Sequence, residues 1–249
     1  MRSSTCTPYF LTQCIESSFH HKERPLLSFE HVFAAVQIAH SYGMGDIAQQ
    51  GVDALKEYYS GYCSGYERPS FKRHFADLAE VHAIGAIYLA RLTNNPSIIP
   101  VAMLICCGID LMTVLTGWIR EDGSIVRLSN DDIIRFLVGR DTLAERAASE
   151  SVKILACGPH PDCWQVTTCK EKVANADSSF SSSFNASVQG RQIVSSINAA
   201  TDIIVRKLDP CTRCQDYVRA FGGRRRREVW NDLPGIFDVE VNGWSVFPS

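Results

Sequence analysis

Residues 27–55 read LSFEHVFAAVQIAHSYGMGDIAQQGVDAL, and their spacing decides the fold class. Phe29, Val32, Phe33, Val36 and Ala39 recur at the i, i+3, i+4, i+7 steps of an amphipathic helix. Ser28 stands where an N-cap hydroxyl belongs, and Glu30 places an acidic group in the first turn. Gly43 and Gly45 end that helix, and Asp46 caps a second one carrying Ile47, Gly51, Ala54, Leu55 and Tyr58 on one face. Two amphipathic helices joined by so short a turn form a helical hairpin.

Working outward, the helical period returns again and again. Tyr58 to Pro69 reads as a loop, with Tyr58, Tyr59, Tyr62 and Tyr66 as exposed aromatic material, and Phe75, Leu78, His82, Gly85, Leu89 and Leu92 mark a third helix. Ser97 caps a short apolar helix that tolerates Pro100 in its first turn and faces the core with Val101, Leu104 and Ile105. Ser129 stands three residues before Asp132, a capping pattern for a helix through Ile133, Ile134, Phe136 and Leu137 that Gly139 closes. A further helix follows over about 142–155, and Gln189 to Leu208 forms another that Pro210 stops. The best strand signal, Ile125 to Leu128, is too short to found a sheet. The fold class expected is mainly α, an irregular multi-helix array with a cysteine-bearing loop and a Ser-rich linker.

Four segments follow from these shifts in texture. Residues 1–27 form an N-terminal tail, 28–156 the helical region, 157–188 a cysteine-rich and then serine-rich stretch, and 189–249 a last helix, a Cys-x-x-Cys pair, a basic run and a docking tail. No repeat of 20 to 50 residues is present, which excludes solenoids and propellers. The chain has 249 residues, 45% hydrophobic and 21% charged, with a formal net charge of -2, so it can build a core and carries no global field for nucleic acid or anionic lipid. Polar residues interrupt every apolar run near the N-terminus, and Ile98 to Leu115 is broken by Pro100, Gly108 and Asp110. The expected setting is therefore intracellular, cytoplasm or nucleus, with no membrane partner, and the Asn185-Ala186-Ser187 sequon is without consequence.

Chemistry concentrates in the thiols. In an intracellular chain, ten cysteines are reduced thiols, buried small hydrophobes or metal ligands rather than a disulfide framework. Cys211-Thr-Arg-Cys214 has the two-residue gap that lets both sulfurs face one tetrahedral ion, and Cys157 with Cys163 completes a four-thiol set, Cys169 and His160 standing as substitutes. Structural zinc on Cys157, Cys163, Cys211 and Cys214 is thus the one cofactor the motifs suggest; buried or surface thiols, and a minor redox role, stay open beside it. A thioredoxin-like role is disfavoured, because no βαβ pattern precedes the pair. Arg224 to Arg227 could contact phosphates or serve as a nuclear import signal, but the bland reading is a solvated helix start neutralised by Glu228 and Asp232. Nucleic acid is not an expected partner. The chain lacks the common hydrolase, nucleotide-binding and metalloprotease motifs, its histidines have no catalytic partner at recognisable spacing, and no enzyme is expected.

The same hairpin, together with SIIPVAMLICC (97–107), LSNDDIIRFLVGRDTL (128–143), the x5-spaced Cys157 and Cys163, CTRC (211–214) and REVWNDLPGIFDV (227–239), resembles in order and spacing the closing helices of a BTB/POZ domain and the helical region behind it in the fungal BTB-domain proteins. The resemblance covers most of residues 26–240 and implies a protein-interaction module, an adaptor or regulatory scaffold. BTB domains typically dimerise, and some recruit cullins. Those surfaces belong to a strand-rich front half that would precede Ser28, where 27 residues without strand alternation stand, so the resemblance implies either a truncated BTB unit or a member that has lost the core, in both cases without the dimer and cullin surfaces. The alternative is a zinc-stabilised regulatory module that enters the nucleus.

Overall fold

A computed structural model of the protein describes residues 28–65, Phe75, 78–174 and 193–244. Among them are nine α-helices: α1 (Phe29–Ser41), α2 (Gly45–Gly65), α3 (His82–Leu92), α4 (Ile99–Cys106), α5 (Leu111–Thr116), α6 (Asn130–Leu155), α7 (Val166–Ala174), α8 (Ile193–Asp202) and α9 (Thr212–Ile236). A 3-10 turn, Pro96–Ile98, leads into α4, and a π-helical turn, Ile203–Leu208, follows α8. The described strands are β1 (Trp118–Ile119) and β2 (Ile125–Val126), antiparallel with Trp118 opposite Val126. The mainly α, irregular array read from the sequence is the fold. Much of the Ser-rich stretch, 175–188, lies outside the described residues, as does the tail over 1–27.

The chain divides between Ile133 and Ile134 into two compact units, the first also taking in the stretch from Val239. The first is organised by the α1–α2 hairpin. Ser28 Oγ accepts the His31 N–H at 3.2 Å, an N-cap of the kind that contributes about 1 kcal/mol. Phe29, Val32, Phe33, Val36 and Ala39 are all buried, as their spacing requires. Gly51 lets α2 press on α1, since a Cβ there would lie 2.3 Å from Val36 Cγ2. Around Phe29 gather His82, stacked at 4.7 Å, Trp118 edge-on at 5.4 Å, and Phe75. Four expectations change in this unit. Asp46 lies inside α2, which begins at Gly45, and Ser97 lies within the 3-10 turn while α4 begins after Ile98 with no side-chain cap. The third helix starts at His82, with Phe75 outside it, and the stretch from Tyr58 is not a loop: α2 continues to Gly65 and buries Tyr59 in the core. Tyr66 and the side chain of Tyr62 lie outside the described residues.

The second unit is built on two long helices, α6 and α9. Gly139, read from the sequence as the end of a helix, lies inside α6, and Gly222 lies inside α9, for one physical reason. A Cβ on Gly139 would sit 2.3 Å from Phe237 Cδ1, and a Cβ on Gly222 would sit 2.5 Å from Thr201 Oγ1. These glycines serve close packing, and the helices continue because backbone hydrogen bonding is unaffected by a missing side chain. α6 buries Phe136, Leu143, Ala147, Ser151 and Ile154 along one stripe, and α9 buries Cys214, Val218, Gly222, Val229, Trp230 and Leu233 along another. The basic run is thus mid-helix rather than a helix start. Arg225 lies on the inward side of α9, where it meets Glu150, a carboxylate with no solvent exposure, and Arg226 bonds the Asn198 side chain.

Candidate metal centre

Two segments of the second unit come together at their sulfurs. The first begins where α6 ends at Leu155. Gly158 takes φ +70°, the chain turns through Pro159 to Pro161, and the Cys163 N–H bonds the His160 carbonyl at 3.0 Å. α7 then starts at Val166, so Cys169 falls in its first turns, one helical step before Val173; both are buried. The second segment leaves the π-helical turn through Asp209, which adopts the left-handed conformation at φ 44° and ends the helix ahead of Pro210. Cys211 is the N-cap residue of α9, and Cys214 lies in its first turn.

Cross-segment hydrogen bonds set the two pieces. Lys172 Nζ donates to the Asp209 carbonyl at 2.6 Å, and Arg213 Nη1 donates to the Asp162 carbonyl at 3.1 Å. Within the second segment, Gln215 Nε2 donates to Asp209 Oδ1 and to the Pro210 carbonyl, both at 2.9 Å. The result places the Sγ atoms of Cys163, Cys169, Cys211 and Cys214 all within 4.8 Å of one another. A zinc ion with Zn–S bonds of about 2.3 Å holds its sulfurs about 3.8 Å apart. The Cys163 and Cys211 sulfurs are 3.6 Å apart.

The electrostatics suit a cation. The His160 N–H points at Cys214 Sγ and the Cys211 N–H at Cys169 Sγ, each at 3.4 Å, outer contacts that orient thiolate ligands. The Cys214 N–H, aided by the thiols around it, pulls Cys211 down to about 7. Burial pushes Cys169 upward and Cys214 up to about 12. Four sulfurs this close cannot all ionise unless positive charge sits among them. The four cysteines could hold a metal ion, and they are the group of this kind found among the described residues.

Of the residues singled out from sequence, Cys163, Cys211 and Cys214 are brought together. Cys157 is not: half-buried just past the end of α6, its Sγ faces the Gly158 carbonyl at 3.6 Å. Cys169 occupies the fourth place. His160 is turned away, its Nδ1 accepting the Asp162 N–H at 3.0 Å and its ring edge-on to Tyr217. The spacing could not choose, because Cys157, Cys163 and Cys169 succeed one another at the same interval of six. The helical phase of Cys169 with Val173 was the signal that separates them.

Trp164 stands 86% exposed between Cys163 and Cys169 in the sequence. No helix among the described residues is long and apolar enough to cross a membrane. No family model matches the chain, and neither curated proteins nor solved structures yield a match.

Proposed function

We propose that the chain is a non-enzymatic, zinc-stabilised regulatory module that binds protein partners. The observation that carries this reading is the convergence of four cysteine sulfurs from segments more than 40 residues apart in sequence. All four tetrahedral positions are filled by protein, which is the form of a structural site; a catalytic zinc keeps one position open for water or substrate. Zinc here fastens the turn before α7 to the start of α9 and supplies folding energy to a region with few large apolar side chains. The protein-binding part is supported by apolar groups left in water, Trp164 above all, with Ile134 and Val138 each 59% exposed on one face of α6. Nuclear import through the basic run is not part of the proposal, since Arg225 and Arg226 are held by Glu150 and Asn198.

Elemental analysis of protein purified without chelator tests the metal. About one zinc per chain is expected, and less than about 0.2 sinks the reading, because structural zinc binds tightly. Cys169→Ser should lose the ion, whereas Cys157→Ser should keep it. The opposite result would restore Cys157 as ligand.

A further inference from the structure

We propose that the four-cysteine centre is a peroxide-sensitive switch in which Cys163 and Cys211 close a disulfide and release the ion. This rests on the zinc reading above. The four sulfurs are not equivalent. Cys163, Cys169 and Cys214 are buried, whereas Cys211 is half-exposed, at the start of α9. An oxidant arriving from water meets Cys211 first. Of the three buried sulfurs, Cys169 and Cys214 each accept a backbone N–H, which holds them in place. Cys163 Sγ, 3.6 Å from Cys211 Sγ, is the sulfur positioned to resolve the first oxidation product. A disulfide bond is about 2.05 Å long, so the two sulfurs need to approach by about 1.5 Å.

The chemistry balances with hydrogen peroxide as oxidant. The Cys211 thiolate attacks one peroxide oxygen, the O–O bond breaks, and a sulfenic acid and hydroxide form. The Cys163 thiolate then attacks the Cys211 sulfur and expels a second hydroxide as the S–S bond closes. Two electrons pass from the sulfurs to peroxide, and two solvent protons convert both hydroxides to water. The ion keeps only Cys169 and Cys214, too few to complete a tetrahedral shell, and leaves. Both segments remain tied by the new bond and by the Arg213 and Lys172 contacts.

The test uses the full chain loaded with zinc, exposed to a modest excess of hydrogen peroxide and quenched with an alkylating agent. Released zinc is read with a chromogenic chelator, and the disulfide is located by peptide mass mapping. One zinc released per disulfide joining the Cys163 and Cys211 peptides is expected, reversed by a thiol reductant with zinc resupplied. Cys163→His keeps four ligands but removes the resolving thiol, so it should bind zinc and release it several-fold more slowly. Zinc retained with all four thiols intact overturns the switch while leaving the zinc site standing, as does release through another pair or an unchanged rate in Cys163→His. A chain that holds no zinc before peroxide overturns the metal reading and the switch together.

Discussion

Replacing Glu150 by Gln should be among the most damaging single-atom changes available in the second unit. The Glu150 side chain has no solvent exposure and is surrounded by three cations: Arg225 Nη2 at 3.0 Å, Lys153 Nζ at 2.9 Å and Arg146 Nε at 3.1 Å. Glutamine keeps the volume but turns an NH2 donor toward other donors and leaves the guanidinium of Arg225, only 20% exposed, with the half-exposed Glu228 carboxylate at 2.6 Å as its remaining counter-charge. Breaking a buried pair from one side costs about 3 to 5 kcal/mol. Lys153 and Arg146 are 48% and 35% exposed and regain hydration, which reduces the expected loss to about 2 to 3 kcal/mol. Denaturant unfolding of zinc-loaded wild type and variant at matched pH measures it. The pH dependence supplies a second check. Burial by itself would raise the Glu150 pKa, but the hydrogen bonds and charges of Arg225 and Lys153 outweigh it, and the net direction is down. A carboxyl with a depressed folded pKa stabilises above its unfolded value of about 4.3, and that stabilisation is lost as pH falls through the folded value. The gap between wild type and variant should therefore be full at neutral pH and shrink below about pH 4. A difference under about 0.5 kcal/mol at neutral pH, or one that does not change on acidification, would refute the reasoning.

Gly139→Ala should destabilise by about 1 to 3 kcal/mol despite alanine's better helix propensity, because its Cβ would meet the Phe237 ring. Phe237→Leu in the same chain should recover part of that loss, and purely additive effects in a double-mutant cycle would contradict the packing account. Asp132→Ala keeps the backbone N–H bond to the capping Ser129 but removes the carboxylate that accepts the Ser129 hydroxyl at 2.9 Å and pairs with Arg91 at 2.6 Å, with a loss of about 2 kcal/mol expected in thermal unfolding. Lowering pH should release zinc as protons compete for the thiolates, read by metal retained after desalting at each pH; retention down to strongly acidic pH would argue against a four-thiolate site.

How far the sequence carries can be seen element by element. Local spacing was enough for α1, because Phe29, Val32, Phe33, Val36 and Ala39 form a stripe that only a helix can bury together. The cap at Ser28, the proline-tolerant start of α4 and the helix head at Ser129 are likewise written in neighbouring residues. What failed was the reading of glycine. Gly139 looks like a break in one dimension, yet it and Gly222 each mark where another element comes too close for a side chain, and that neighbour, Phe237 or Thr201, lies far along the chain. The basic run misled in the same way: four successive arginines look solvated until Glu150 is found buried opposite Arg225.

The metal centre divides along the same line. Cys211 and Cys214 could be paired from sequence, because a two-residue gap fixes both sulfurs through local geometry alone. Their partners could not, since three cysteines at equal intervals offer two x5 pairs and spacing is blind to which one folds back. The end of α6 at Leu155, the left-handed turn at Gly158 and the start of α7 at Val166 carry Cys157 away and bring Cys169 in. By itself the sequence determined the mainly α class, the buried stripe of α1, the helix heads at Ser28 and Ser129 and a thiol-rich segment, all properties of nearby residues. Only the tertiary structure decided which four sulfurs meet, which glycines are packing sites and which arginines are neutralised, because each of those depends on a distance between residues that the chain keeps far apart.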